Sequence, residues 1–304
     1  IQQHKIHRLV WQSASVAAVF MIVLFSVLFT RENRPPESSV VNDVPVAGKT
    51  QAVLSLPDGR QVALGNEKEQ DTAWMKYVEA CTIESKATTE PADIKIEVAR
   101  GGEYKIRLED GTTVWLNSES SLIYPEKFTG DKRAVRLSGE GYFEVARDEK
   151  KPFIVSVTDM EIKVLGTKFN VTAYQDEKMT TTTLISGAVE VVTPHRSVQL
   201  QPGKQAMVQE GGDDITVLEV DVELATSWTA GIFKFDKMAL TDICTRLSRW
   251  YDIDFVFEGE TGKEKFTGGT WKYVPLKDFL SKIERVTNVL FLFENNTVKV
   301  VPKK

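Results

Sequence analysis

Hydrophobic and polar positions follow three regimes along the chain. Leu9 to Thr30 is an uncharged run dominated by Val, Ala, Phe, Leu and Ile. As a helix rising 1.5 Å per residue it would be roughly 33 Å long, the thickness of bilayer hydrocarbon. It reads as a single membrane-spanning helix behind a short stub, residues 1–8. A cleaved signal peptide is the alternative, because Lys5 and Arg8 precede the run. The stretch is long for a signal core, however, and its exit, Ser26-Val-Leu-Phe-Thr-Arg-Glu, lacks a small-x-small cleavage site. Arg31 and Arg34 balance Lys5 and Arg8, so the positive-inside rule leaves the orientation open. Arg31 to Ala47, with Pro35-Pro36 and Pro45, reads as an extended tether.

From residue 48 to about residue 225 the period changes to two. Tyr104–Leu108 alternates, Asp110-Gly111 turns, and Val114–Leu116 resumes. Asp-Gly between alternating runs is a hairpin signal. Short strands are predicted at Val135–Leu137, Tyr142–Val145, Phe153–Val157, Glu161–Leu165, Phe169–Tyr174, Thr183–Ile185, Ala188–Val192, Val198–Leu200 and Gln205–Val208. With no long helix between them they imply an all-β unit, solenoid-like or sandwich-like. The Thr-rich stretch Asn66–Ala99 reads as an excursion. Ser55-Leu-Pro-Asp-Gly-Arg-Gln-Val-Ala-Leu64 also matches Arg107–Leu116 in Leu, Asp, Gly, Val and Leu, which points to a repeated β element.

The third regime, residues 231–304, is helical and then alternating, twice over. Leu240, Ile243, Cys244, Leu247 and Trp250 form one face of a helix, and Leu276, Phe279, Leu280, Ile283 and Val286 repeat that face. Strands Ile253–Phe257 and Val289–Phe293 follow the two helices, Ile232–Phe235 and Lys265–Thr270 precede them, and Thr297–Val301 closes the chain. The expectation is a small α/β module with two helices on one sheet face.

Charge and reactive residues then narrow the chemistry. A net charge of −5, with 27% of residues charged and the signs mixed, argues against a nucleic-acid-binding body. Two cysteines, Cys81 and Cys244, exclude a disulfide scaffold, and Cys244 lies on an apolar helix face. Of three histidines only His195 follows the apolar run, so a His-dependent catalytic site or a zinc site has almost nothing to draw on. No phosphate-cradling glycine loop is present; Gly101-Gly102 and Gly211-Gly212 lack the residues that complete one. Glu140 and Glu144, even-spaced on one strand face at about 13 Å, stand too far apart for a glycosidase pair and read as surface or structural carboxylates. No cofactor or metal is expected. A membrane-tethered module binding glycan or envelope polymer is a second reading, for which Trp74, Trp115, Trp228 and Trp271 would have to form an exposed row.

The stretches Gly101–Leu122, Val135-Arg-Leu-Ser-Gly-Glu-Gly-Tyr-Phe-Glu-Val145, Pro152–Val155, Val164-Leu-Gly-Thr-Lys-Phe-Asn-Val171, Ile185–Val191 and Leu200–Ala206 resemble the FecR family of transmembrane anti-sigma factors. The tail, with Phe233-Lys-Phe-Asp236 and Leu247-Ser-Arg-Trp-Tyr251, is similar to the short secretin/TonB N-terminal (STN-like) module. The resemblance implies a periplasmic body on one inner-membrane helix. It implies a signal received from the signalling domain of a TonB-dependent, SusC-like outer-membrane transporter and passed to an extracytoplasmic-function sigma factor. The stub of residues 1–8 is short for a sigma-binding domain, which is expected to be either truncated or lost, so that contact is expected through a segment not in this chain. The resemblance also suggests self-cleavage at Gly166-Thr167, by attack of the threonine hydroxyl on the preceding carbonyl. The alternative there is a β-bulge glycine before a β-branched residue.

Overall fold

In the computed structural model, residues 47–65, 93–158 and 160–303 are described. The run Leu9–Thr30, the tether, Trp74 and Cys81 lie outside them. Among the described residues no helix is long and apolar enough to cross a membrane.

Among the described residues, sixteen strands are hydrogen-bonded into one continuous system that folds as two sheets around a shared strand, Arg133–Glu144. One sheet runs Gln61–Leu64, Ala52–Ser55, Asp93–Val98, Ser120–Pro125, Arg133–Glu144, Phe153–Val157, Met160–Val164, Val189–Val192, Ser197–Leu200. The other runs Lys49–Thr50, Gly102–Arg107, Thr113–Leu116, Arg133–Glu144, Lys168–Ala173, Met179–Ser186, Lys204–Gln209, Ile215–Glu219. Alternate side chains of both point into one core, where Phe143 stacks on Phe169 at 5.0 Å and also packs against Phe153. Each fully buried Phe contributes about 2–3 kcal/mol by leaving water. The body is therefore sandwich-like.

The shared strand corrects the sequence reading, which expected two strands there, Val135–Leu137 and Tyr142–Val145. The chain stays extended from 133 to 144 and changes sheets at Gly139, whose φ is +91°. Before the switch, Arg136–Ser138 pairs with Ser121–Ile123; after it, Gly141–Glu144 pairs with Thr113–Leu116. The excursion Asn66–Ala99 is corrected as well, since Asp93–Val98 is a central strand with Ile94, Ile96 and Val98 buried. Its sequence, Asp-Ile-Lys-Ile-Glu-Val, alternates as a strand should; the Thr-rich residues before it hid that.

The two Asp-Gly turns are the same structure. In the first, Leu56 N–H donates to the Arg60 carbonyl and Arg60 N–H donates to Asp58 Oδ1, both at 2.9 Å. In the second, Leu108 N–H donates to the Thr112 carbonyl at 2.8 Å and Thr112 N–H to Asp110 Oδ1 at 3.0 Å. Gly59 and Gly111 share φ +85°, which an L side chain resists.

Helix α1 (Val222–Thr226) and the 3₁₀ turn Ser227–Ala230 lead into the C-terminal module. There α2 (Leu240–Tyr251) and α3 (Leu276–Val286) bury the predicted stripes except at Val286, which ends α3 exposed to solvent. The expected single sheet is instead two. Ile232–Ala239 pairs with Lys265–Trp271, while Asp254–Phe257, Thr297–Pro302 and Val289–Glu294 form a separate three-stranded sheet in that order. The helices share one core with both: Phe233, Phe235 and Phe266 on one flank, Val289, Val298 and Val300 on the other. Each helix offers a stripe wide enough to cover both flanks, so neither sheet has to join the other to be covered.

Candidate functional site

Body and module belong to one compact unit, and the charged residues buried between them are where the sequence stretches quoted above meet. The C-terminal end of α2 carries Arg249, 4% exposed. Its guanidinium lies 3.6 Å over the ring of Tyr174. It reaches Asp176 and Glu177 at 2.6 Å and Glu119 at 3.2 Å, all on loops of the body. A planar five-donor fork suits such a set of carboxylates, which a lysine could not engage together. Burial outweighs Arg249 at Glu177 and pushes its carboxyl above the ordinary range.

Last-turn carbonyls of a helix need outside donors, and here the body supplies them. Arg100 donates to Ser248 O at 3.1 Å and Ile253 O at 2.8 Å, and its charge also meets the negative end of the helix dipole. Gly101 N–H donates to Arg249 O at 2.7 Å.

Lys272, fully buried, lies beside these groups. Its Nζ is 2.7 Å from Glu103 Oε2 and 3.9 Å from the centre of the Trp250 ring. Tyr273 OH donates to the other Glu103 oxygen at 2.7 Å. Burial lowers the Lys272 ammonium from its usual value and Glu103 opposes that shift. The Lys272 carbonyl accepts from Trp250 Nε1 at 2.7 Å.

Glu140 supports the body's side of this contact. It accepts from Asn117 Nδ2 at 2.8 Å, Asn170 Nδ2 at 3.0 Å and Thr172 Oγ1 at 3.3 Å. Asn170 in turn accepts from Trp228 Nε1 at 3.2 Å. Glu140 is thus a structural hub, while Glu144 pairs at the surface with Lys168 at 2.8 Å. The two do not form a catalytic pair.

Gly166 and Thr167 lie elsewhere, in the connection between strands Met160–Val164 and Lys168–Ala173, on a groove of about 620 Å³ that also includes Leu165, Gly187 and Ala188. Thr167 is buried, its Oγ1 donating to Ala188 O at 2.9 Å. A Cβ on Gly166 would stand 2.7 Å from the Arg147 backbone, so close approach requires the glycine. His195 is exposed beside Asp213. The Cys244 thiol is buried, and burial pushes its pKa up, as for an inert core thiol. Trp228 is buried and Trp115 half-buried; Trp271 and Tyr273 are exposed as neighbours and not as a row. Among the described residues no cluster of His, Cys, Asp and Glu could hold a metal.

Sequence reasoning missed the joint. Arg249 sits next to Trp250 in a stretch singled out for its resemblance, but nothing local shows that it is buried. Lys272, between Trp271 and Tyr273, looks like any surface lysine.

Comparison with known proteins agrees with this architecture. The FecR protein family model matches residues 94–190, and the model for the FecR C-terminal region matches residues 232–300. No curated protein matches the sequence. A crystal structure assigned as an anti-sigma factor from Parabacteroides distasonis ATCC 8503, at 1.65 Å resolution, is similar over 69% of this chain and 99% of its own, with 30% identity and a TM-score of 0.65. A second structure under the same description, at 2.50 Å, gives the same identity and TM-score over 70% and 100%. With its strand-built body, its C-terminal module and that likeness, the chain belongs to the FecR family of anti-sigma factors.

Proposed function

We propose that the protein relays a signal from the signalling domain of a TonB-dependent, SusC-like outer-membrane transporter to an extracytoplasmic-function sigma factor. On this reading Leu9–Thr30 anchors it in the inner membrane by a single pass and the body stands in the periplasm. One observation carries the docking half of the proposal. Among the described residues no strand pairs with the outer edges of the module's three-stranded sheet, Asp254–Phe257 and Val289–Glu294; at the second, Phe291 N–H donates to Glu284 Oε1 at 2.8 Å, and Val256, Leu290 and Leu292 are exposed on these strands. An open edge flanked by uncovered apolar side chains suits addition of a partner strand.

Leu292→Asp is expected to weaken binding of the transporter's signalling domain at least tenfold by calorimetry, about 1.4 kcal/mol, with the melting temperature unchanged because Leu292 is 47% exposed. Unaltered affinity in both Leu292→Asp and Val256→Asp would remove this surface from the proposal.

Self-cleavage at Gly166-Thr167 is the second part. The Thr167 hydroxyl would add to the Gly166 carbonyl carbon and the C–N bond would break, its nitrogen taking the proton. Water would then open the resulting ester. The groove beside the bond supports this reading by giving water access. The purified chain is expected to run as two fragments meeting at that bond, and Thr167→Ala as one. A single intact band from both would leave the bond a structural seam.

A further inference from the structure

The chain enters the described fold at Ala47, and this entry lies on the joint. Ala47 packs against the core of the C-terminal module. A Cβ on Gly48 would stand 2.6 Å from the ring of Trp250, so Gly48 lies flat on a residue of α2. Lys49 and Thr50 pair in parallel with Gly102 and Glu103. Two backbone bonds then run in series: Lys49 N–H donates to Gly101 O at 2.8 Å, and Gly101 N–H donates to Arg249 O at 2.7 Å. Glu103, one step along the same strand, holds Lys272. The segment that leads back toward the apolar run Leu9–Thr30 is thus held by the same few residues that seat the module.

We infer that the C-terminal module is a latch on residues Gly48–Thr50. While the module is seated, Trp250 covers Gly48, and Arg249 fixes Gly101, which holds Lys49. When it is drawn off, this parallel pairing, held by Lys49 N–H to Gly101 O at 2.8 Å and Gln51 N–H to Glu103 O at 3.0 Å, loses its cover, and so short a ladder is weak by itself. A partner that binds the unseated module more tightly than the seated one shifts the population toward a released entry segment. The entry residues 47–50 then come free of the module and open, for instance, to a protease. Relevance to signalling rests on the proposed function above; the coupling within the chain does not.

Amide hydrogen exchange on the full detergent-solubilised chain tests the coupling with no transporter domain present, so failure of the latch and failure of the docking proposal are distinguishable. Arg249→Met is expected to speed exchange at Gly101 and at Lys49 together by tenfold or more, with protection of Val155 and Ile162 in the body core unchanged. Faster exchange at Gly101 with wild-type protection at Lys49 would overturn the latch. Gly48→Val tests the reverse direction and decides the case if Arg249→Met leaves Gly101 protected. It is expected to speed exchange over Ser248–Asp252; displacement of Lys49 with α2 unaffected would equally overturn the proposal.

Discussion

Gly139→Ala is expected to lower the melting temperature more than any other single substitution considered. At φ +91° the added Cβ would overlap Ser120 Oγ and come within 2.7 Å of the Glu119 carbonyl oxygen. A φ of this sign strains an L residue by roughly 1–2 kcal/mol. The clash with backbone adds more, because strands Ser120–Pro125 and Arg133–Glu144 are paired on either side and cannot both move. Ser120 Oγ also accepts from Glu140 N–H at 2.8 Å, so displacing it disturbs the carboxylate that gathers Asn117, Asn170 and Thr172. Together these exceed roughly 4 kcal/mol, a large part of the roughly 5–15 kcal/mol typical of a folded domain. Gly130→Ala is the control, with nothing within 4 Å of its added Cβ. Thermal unfolding of both variants checks the prediction, and a Gly139→Ala melting temperature within a few degrees of the parent would refute it.

The second large effect is asymmetric. Glu103→Gln is expected to destabilise by about 3–5 kcal/mol, since it removes the counter-charge of a lysine that has no access to water. Lys272→Met is expected to lie within about 1 kcal/mol of the parent, because a buried ion pair gains little over apolar packing. Glu103, partly exposed and bonded to Tyr273, tolerates the loss better than Lys272 does. Were the pair a simple attraction, the two substitutions would weaken the protein equally. The pH dependence follows from the sign of the shift. Lys272 titrates below its usual 10.5 in the folded protein because burial disfavours the ammonium. The folded state therefore binds fewer protons than the unfolded one between the lowered value and 10.5. This contribution is fully present above 10.5 and is lost as pH falls through the lowered value. Glu103→Gln steepens that slope and Lys272→Met abolishes it, as urea unfolding on the alkaline side can measure.

Much of the fold was legible from local pattern. Period-two alternation placed most body strands, and the duplicated apolar stripe placed α2 and α3 within their observed bounds. The repeated Leu-x-Asp-Gly sequence foretold two turns with the same bonds. Where the reading failed, either neighbouring sequence obscured a local pattern, as the Thr-rich residues did for Asp93–Val98, or the deciding contact lay elsewhere in the chain. Gly139 changes sheets because Ser120 lies against it, and the module's strands divide between two sheets according to what the helices cover.

Sequence by itself determined the strand-rich body, the helix–strand duplication, the scarcity of catalytic histidines and metal ligands, and the family. Each of these is written in residues near one another or in residue counts, where periodicity and turn chemistry act directly. Tertiary structure alone decided that Arg249 and Lys272 are buried ions, that Glu140 is a hub, and that the entry segment lies under Trp250. A charged side chain has no local signature of burial. It becomes a buried ion when folding brings up a partner that the neighbouring sequence does not announce, as Glu103 is brought to Lys272 and Glu119 to Arg249 from more than a hundred residues away.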